Sequence, residues 1–471
     1  MSFVSFSFLL LFTVVFLIRQ SVGRKGNEPL FLISLLFASM LFYAWHVPIY
    51  ILIILFSTFV DYSAGFYLGT QDASASRRKA VLTVSLVANL GMLAIFKYSN
   101  FFLTEVQWIF MALGWRIEPR TLSLVLPMGI SFYTFQSMSY TIDVYRGVIR
   151  PISSFWRFLF FVSFFPQLVA GPIVRARDFL YQIDRRRSVN MLAFCEGGYL
   201  LIRGFFLKVA IADNVGIVVD EYWAQAGLDG AGSLLGISVA VLFSFQIFCD
   251  FAGYSSIARG LAYLLGFRLP LNFNSPYIAG SFSEFWRRWH ITLSRWLRDY
   301  LYVPLGGNRK GKMRTLVNVM LTMLLGGLWH GPAFTFVIWG GIHGLALTIE
   351  RVLGLRDLSQ RSRFVKVGWF VVVQSIVLLA WVFFRSADTA QAGGIIANIC
   401  SFDFAPTEGF PLIECMILVS PAIAMHIRAF FIERFESLRP RAMEQAIAAA
   451  AMAYLTITCF GANNAFIYFQ F

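Results

Sequence analysis

Long apolar runs alternate with short polar interruptions from one end of this chain to the other. Phe3–Ile18, Leu30–Ala44, Ile49–Leu68, Ala80–Phe96, Gly198–Val219, Leu234–Phe251, Phe364–Phe384, Pro411–Phe431 and Ala442–Phe460 each read as a membrane helix. About 20 apolar residues cross a hydrocarbon core. Basic clusters fall between the runs: Arg19 with Arg24 and Lys25, then Arg77-Arg78-Lys79, then the five arginines of Arg175–Arg187. By the positive-inside pattern these loops are expected on the cytoplasmic side. The first run has no basic residues before it and no small-residue cleavage site after it, so it reads as a helix rather than a leader.

Several segments are interrupted. Trp45-His46-Val47-Pro48 predicts a turn or kink, because proline cannot donate to a helix ladder. Phe101–Leu113 is short for a crossing and reads as a re-entrant or interfacial helix. Leu122–Tyr140 is apolar in sum yet carries Pro127, Gly129, Ser131, Thr134, Gln136, Ser137 and Ser139. Such side chains are expected to face protein or water, lining a cavity or joining helices. Phe155–Gly171 contains Phe165-Pro166-Gln167 and reads as a broken segment. Asp250 closes an apolar run and needs a partner at that depth; Arg259 and Arg268 are the candidates.

Composition agrees with the pattern. Of 471 residues, 58% are hydrophobic and 14% charged, against roughly 25% charged in soluble domains. The mean hydropathy is +0.68. The reading is an all-α polytopic membrane protein with about eleven to thirteen hydrophobic segments, some not crossing fully. The net charge of +14 needs no nucleic acid, since topology accounts for it; anionic lipid headgroups or a polyanionic donor are other users of the same loops. The five cysteines are scattered without a CxxC pair, which suggests neither a disulfide framework nor a zinc site. No internal repeat is visible, which weighs against repeat-built transporters.

Chemistry concentrates between Phe282 and Gly344, where three of the five histidines lie. Phe282, Phe285, Trp286, Trp289, Leu293, Trp296, Leu297 and Tyr300 recur at helical spacing and predict one amphipathic interfacial helix over 282–300. Arg287, Arg288, Arg295 and Arg298 fall mostly opposite, toward water and phosphate, and His290 sits at the edge of the apolar face. A glycine-rich basic loop follows, with Asn308, Arg309, Lys310, Lys312 and Arg314. The run Thr315–Trp329 then spans about 22 Å as helix and leaves His330 deep in the membrane. Pro332 disfavours helix at Gly331, so the helix is expected to break beside His330. An imidazole there suits general-base chemistry on a hydroxyl or thiol. His330 and His343 form no HxxxH pair, so no metal is expected. Acyl transfer from a thioester needs little more than a base, positioning and dry surroundings.

These residues resemble the membrane-bound O-acyltransferase family, in its bacterial alginate O-acetylase branch. The resemblance runs through Leu126-Pro127-Met128-Gly129-Ile130-Ser131-Phe132-Tyr133-Thr134-Phe135-Gln136, Phe165–Pro172, Asp250–Ser255 and Asn272-Phe273-Asn274-Ser275-Pro276-Tyr277. It continues through Phe285-Trp286-Arg287-Arg288-Trp289-His290, Leu305–Arg309 and Gly327-Leu328-Trp329-His330-Gly331, and the terminal Phe466–Phe471 also looks like this branch. Pro332 departs from it, standing where a small residue is expected. The resemblance implies a single membrane domain over 1–471, a ring of tilted, partly broken helices around a funnel or tunnel, with its catalytic core at about 120–350. It implies that His330 matches the catalytic histidine and His290 the second characteristic one. Donor-binding candidates are Trp286, Arg287, Arg288, Trp289, Asn308 and Arg309; tunnel-lining candidates are Gln136, Asp250, Trp329 and His343.

In this branch the donor is acetyl-CoA or another acyl thioester, used as a substrate rather than a bound cofactor. Acetyl crosses the bacterial inner membrane to a periplasmic or membrane-anchored SGNH-type acetyltransferase partner, working with polysaccharide export machinery on a polymer such as alginate or cellulose. Membrane lipids are the other expected partners. Acylation of a lipid or protein, and transport without chemistry, are the competing readings.

Overall fold

The computed structural model describes residues 1–25, 28–70, 74–115, 122, 124–184, 189–438 and 441–459. Every regular element among them is helical. They form two compact units, residues 1–198 with 258–270, and residues 199–257 with 271–471. Among the described residues, five helices are long and apolar enough to cross a membrane: Pro48–Leu68, Ala75–Ala112, Ser233–Leu264, Arg363–Arg385 and Leu412–Arg434. The terminal run Phe466–Phe471 lies outside the described residues.

The first unit contains α1 (Phe6–Lys25), α2 (Glu28–Ala44), α3 (Ile51–Leu68), α4 (Ala75–Ala112), α5 (Ile130–Tyr145), α6 (Phe155–Ser163), α7 (Phe165–Leu168) and α8 (Ala176–Asp184). Its centre is polar. Asp61 is fully buried and accepts hydrogen bonds from the Ser85 hydroxyl, from Asn89 Nδ2 at 2.9 Å and from Thr141 Oγ1 at 2.9 Å. Ser57 donates to Asn89 Oδ1 at 2.7 Å, and Ser137 approaches the same oxygen at 3.5 Å. Hydroxyl and amide groups thus join α3, α4 and α5, as expected where water is excluded. That accounts for Ser137 and Thr141 as packing groups.

Two expectations are corrected in this unit. The short segment 101–113 is not separate: α4 runs unbroken through Lys97-Tyr98-Ser99-Asn100, which contain neither proline nor glycine to stop the ladder. And α5 begins only at Ile130, because Gly129 caps it with φ +73°. A Cβ there would sit 2.2 Å from the Leu168 carbonyl oxygen, so only glycine fits.

The second unit holds α10 (Asp213–Ala226), α12 (Phe282–Arg288), α13 (Ile291–Leu297), α14 (Lys312–His330), α15 (Phe334–Val352), α16 (Arg363–Arg385), α17 (Thr389–Ile399), α18 (Leu412–Arg434) and α19 (Ala442–Thr458); α9 (Met191–Phe205) and α11 (Ser233–Leu264) carry residues of both units. A π-helical turn, Phe206–Ala212, leads into α10. It carries Lys208, whose Nζ lies 2.7 Å from Asp213 Oδ1 and 2.8 Å from Asp250 Oδ1. Asp250 therefore pairs with Lys208 rather than with Arg259 or Arg268. All three side chains are buried, and an ion pair is how such charges are tolerated.

The single helix expected over 282–300 is also corrected. It breaks at Trp289-His290, where His290 adopts φ +40°, and α13 runs on into a π-helical turn over Arg298–Tyr302. Its apolar side is core: Phe282, Phe285, Trp289, Leu293, Trp296, Leu297 and Tyr300 are all buried.

Helices α14 and α15 form a tight antiparallel hairpin. A Cβ on Gly327 would fall 2.3 Å from the Phe336 carbonyl oxygen, and one on Gly340 would fall 2.4 Å from that of Met323. Small residues allow the two backbones to touch.

Candidate active site

His330 is the last residue of α14. Gly331 turns extended, at φ −163° and ψ 157°, as the following proline requires. The helix places His330 about 27 Å from Lys312 along its axis. The imidazole is 3% exposed. Trp329, Trp339 and Phe384 meet it edge-on at ring-centre distances of 5.0, 5.0 and 5.4 Å. The sequence placed an imidazole at a helix break; the fold encloses it in an aromatic box.

His290 stands between α12 and α13 and is fully buried. Its Nδ1 lies 3.1 Å from Asn272 Oδ1. Phe251 meets the ring edge-on at 4.8 Å, and Trp329 lies 6.3 Å away. Trp329 therefore touches both His330 and His290.

His343 lies one turn beyond Trp339 on α15. Its ring stacks on Phe285 at 5.8 Å and meets Trp286 at 5.1 Å and Trp339 at 4.9 Å. It is fully buried, and neither ring nitrogen has a hydrogen-bond partner among the described residues. The same holds for the indole N–H groups of Trp286 and Trp339 and for the Thr335 hydroxyl. Thr335, Trp339 and His343 follow at four-residue intervals and so share one face of α15. Ring contacts run from Trp286 through His343 and Trp339 to His330.

Trp286 also lines a cavity of about 440 Å³. Leu297, Val319, Met323 and Leu347 give it an apolar floor, while Asn308, Tyr302, Arg298, Arg351 and Arg356 add polar and cationic groups. Of the donor-binding candidates, Trp286 and Asn308 line this cavity, and Arg287 and Arg309 are exposed outside its lining. Arg288 is held by Glu284 at 2.8 Å and by Glu433 at 2.7 Å. Hydrogen bonding to Glu433, and to Glu284, keeps its guanidinium above its ordinary pKa. Trp289 is core, stacked on Phe285 at 5.9 Å and packed on Trp381 at 4.8 Å.

Sequence reading turned Arg298 toward water and phosphate without placing it among the donor-binding candidates, and did not select Arg351 or Arg356. The helical register from His343 through Leu347 to Arg351 was the available signal. Gln136 is a fully buried residue of α5 whose side-chain amide has no partner among the described residues. Asp250 is held by Lys208, as above. Among the described residues no group of three His, Cys, Asp or Glu side chains is arranged to hold a metal ion.

Comparison with known proteins bears on this arrangement. The model of the membrane-bound O-acyltransferase family matches residues 3–386. A probable alginate O-acetylase AlgI of Pseudomonas putida is 40% identical over 404 residues, covering 85% of this chain and 81% of that protein. A peptidoglycan O-acetyltransferase of Helicobacter pylori is 35% identical over 417 residues, covering 82% and 76%. A teichoic acid D-alanyltransferase of Streptococcus thermophilus is 30% identical over 298 residues, covering 57% and 71%.

Proposed function

Because the chain belongs to the membrane-bound O-acyltransferase family and is a multi-pass membrane O-acyltransferase, we propose that it takes acetyl from a cytoplasmic thioester, of the acetyl-CoA type, and passes it across a bacterial inner membrane for O-acetylation of an exported polysaccharide. The observation that carries the reading is the continuous set of contacts from the arginine-bearing cavity, through Trp286, His343 and Trp339, to the enclosed His330.

Each part has a chemical task. Arg298, Arg351 and Arg356 suit the phosphates of a nucleotide-borne or carrier-borne thioester, since guanidinium groups recognise phosphate oxygens directionally. The donors of Trp286, Trp339 and His343, which have no partner among the described residues, suit the amides and carbonyl of the thioester arm. His330 accepts the proton of the acceptor hydroxyl as its oxygen attacks the thioester carbon. The carbon–sulfur bond breaks, and the same proton passes to the departing thiolate. The aromatic box keeps out the water that would hydrolyse the thioester.

A base in mid-membrane meets a donor from one face and an acceptor from the other. On this reading an SGNH-type partner on the outer face places the ester on the polymer, in concert with export machinery. A second reading, transfer of another small acyl group, is favoured by the D-alanyl group in the name of the streptococcal relative.

Inverted membrane vesicles given acetyl-CoA labelled in the acetyl group test the reading. Wild-type vesicles are expected to form alkali-labile labelled esters, and His330→Ala vesicles to form about a hundredfold less or lower. Equal labelling with and without His330 would overturn it.

A further inference from the structure

The turn that carries His290 is built around a residue from a different motif, Asn272. Its Oδ1 receives the Thr292 hydroxyl at 2.8 Å and the Thr292 backbone N–H at 3.3 Å, while its Nδ2 donates to Ser255 Oγ at 3.2 Å. Its backbone carbonyl accepts the Ile291 N–H at 2.9 Å. Asn272 is 1% exposed. A backbone N–H can only donate, so the atom facing Thr292 N is the amide oxygen and the orientation of the side chain follows.

That same oxygen is the one 3.1 Å from His290 Nδ1. An amide oxygen only accepts, so Nδ1 carries the proton in either charge state of the ring. We infer that Asn272 is a positioning residue that holds His290 as its Nδ1–H tautomer and so makes Nε2 the basic nitrogen of the neutral ring.

Local backbone supports the assignment. His290 is the cap residue of α13, yet its left-handed conformation leaves its side chain making no capping hydrogen bond. Asn272 supplies that bond to Thr292 from outside the helix. The imidazole is thus freed from holding the helix and is held by the same oxygen that holds it. The left-handed backbone of a non-glycine residue is kept by such surrounding constraints.

Its consequence for activity rests on the proposed acyl transfer and on His290, the second histidine that the family resemblance singles out, serving it, but its first test does not. The purified protein is labelled with ¹⁵N-histidine, and the His290 signal is identified by its loss in His290→Gln. The expected spectrum has a protonated Nδ1 and an unprotonated Nε2; a protonated Nε2 with a bare Nδ1 in the neutral ring would overturn the assignment.

Acetyl transfer in vesicles is then compared across variants. Asn272→Leu is expected to lose at least tenfold and to release the tautomer. Asn272→Asp, which keeps an acceptor oxygen in place, should recover most of the rate and the Nδ1–H signature. Thr292→Val removes the hydroxyl bond to Asn272 Oδ1, keeps the capping backbone N–H, and should stay within threefold of wild type. A Thr292→Val loss as large as that of Asn272→Leu would assign the effect to the Thr292 hydroxyl contact rather than to His290 and overturn the proposal. Should Asn272→Leu fail to fold, the wild-type spectrum and the Asn272→Asp rate still decide it. Full activity in His290→Gln, with the Nδ1–H signature present in wild type, would remove His290 from the chemistry and leave the tautomer assignment standing.

Discussion

His343 is a buried imidazole surrounded by Phe285, Trp286 and Trp339, with both nitrogens lacking a partner among the described residues. Leaving a buried polar group unpaired costs roughly 1–3 kcal/mol. If the group meets the thioester arm, His343→Leu separates function from stability. The variant is expected to unfold at the same temperature as wild type or above it, while its KM for the donor rises about tenfold, the worth of one good hydrogen bond. Thermal unfolding and donor titration on the same preparation check both. A lower unfolding temperature with unchanged KM would make His343 a packing residue.

At this scale the place of His330 was legible, because an ionisable residue beside a helix break in an apolar run is conspicuous. The partners of the charged residues were not. Arg288 is bound by Glu433 and Asp250 by Lys208, and nothing in local sequence ranks those partners above nearer charges such as Arg259.

Among the elements, the α14–α15 hairpin sets where His330 stands. Its close approach depends on glycine: an added Cβ at Gly340 would press on the Met323 carbonyl, which a packed helix backbone cannot move aside. Gly340→Ala is expected to destabilise the protein by about 3 kcal/mol, at the upper end for overpacking. It should also lower acyl transfer in the protein that still folds, because His330 and Trp339 sit on the two helices being forced apart. Gly368→Ala, on α16 with open space around its Cβ, is the matched control and should change neither.

The long apolar helices were readable from their runs, and so was the stop at Gly331. The break at His290 was not, because the residues on either side keep helical spacing and only the left-handed backbone interrupts it. Nor was the continuity of α4, whose polar middle looks like a gap until no residue in it proves able to end a helix.

For the molecule as a whole, the all-helical architecture and the family were legible, since composition, apolar periodicity and the motifs all point the same way. The arginine-bearing cavity was not. It gathers Arg298, Asn308, Arg351 and Arg356 from separate stretches of the chain. If the proposed function holds, an ester on a glycan depends on the imidazole of His330.

The measurement that tests this most directly is the O-acetyl ester content of exported and wall glycans, read by proton NMR. A deletion strain is complemented with wild type or with His330→Ala at equal membrane abundance. Esters restored by wild type alone are the predicted result, and the polymer that carries them identifies the acceptor. Esters restored equally by both would contradict the account at its base.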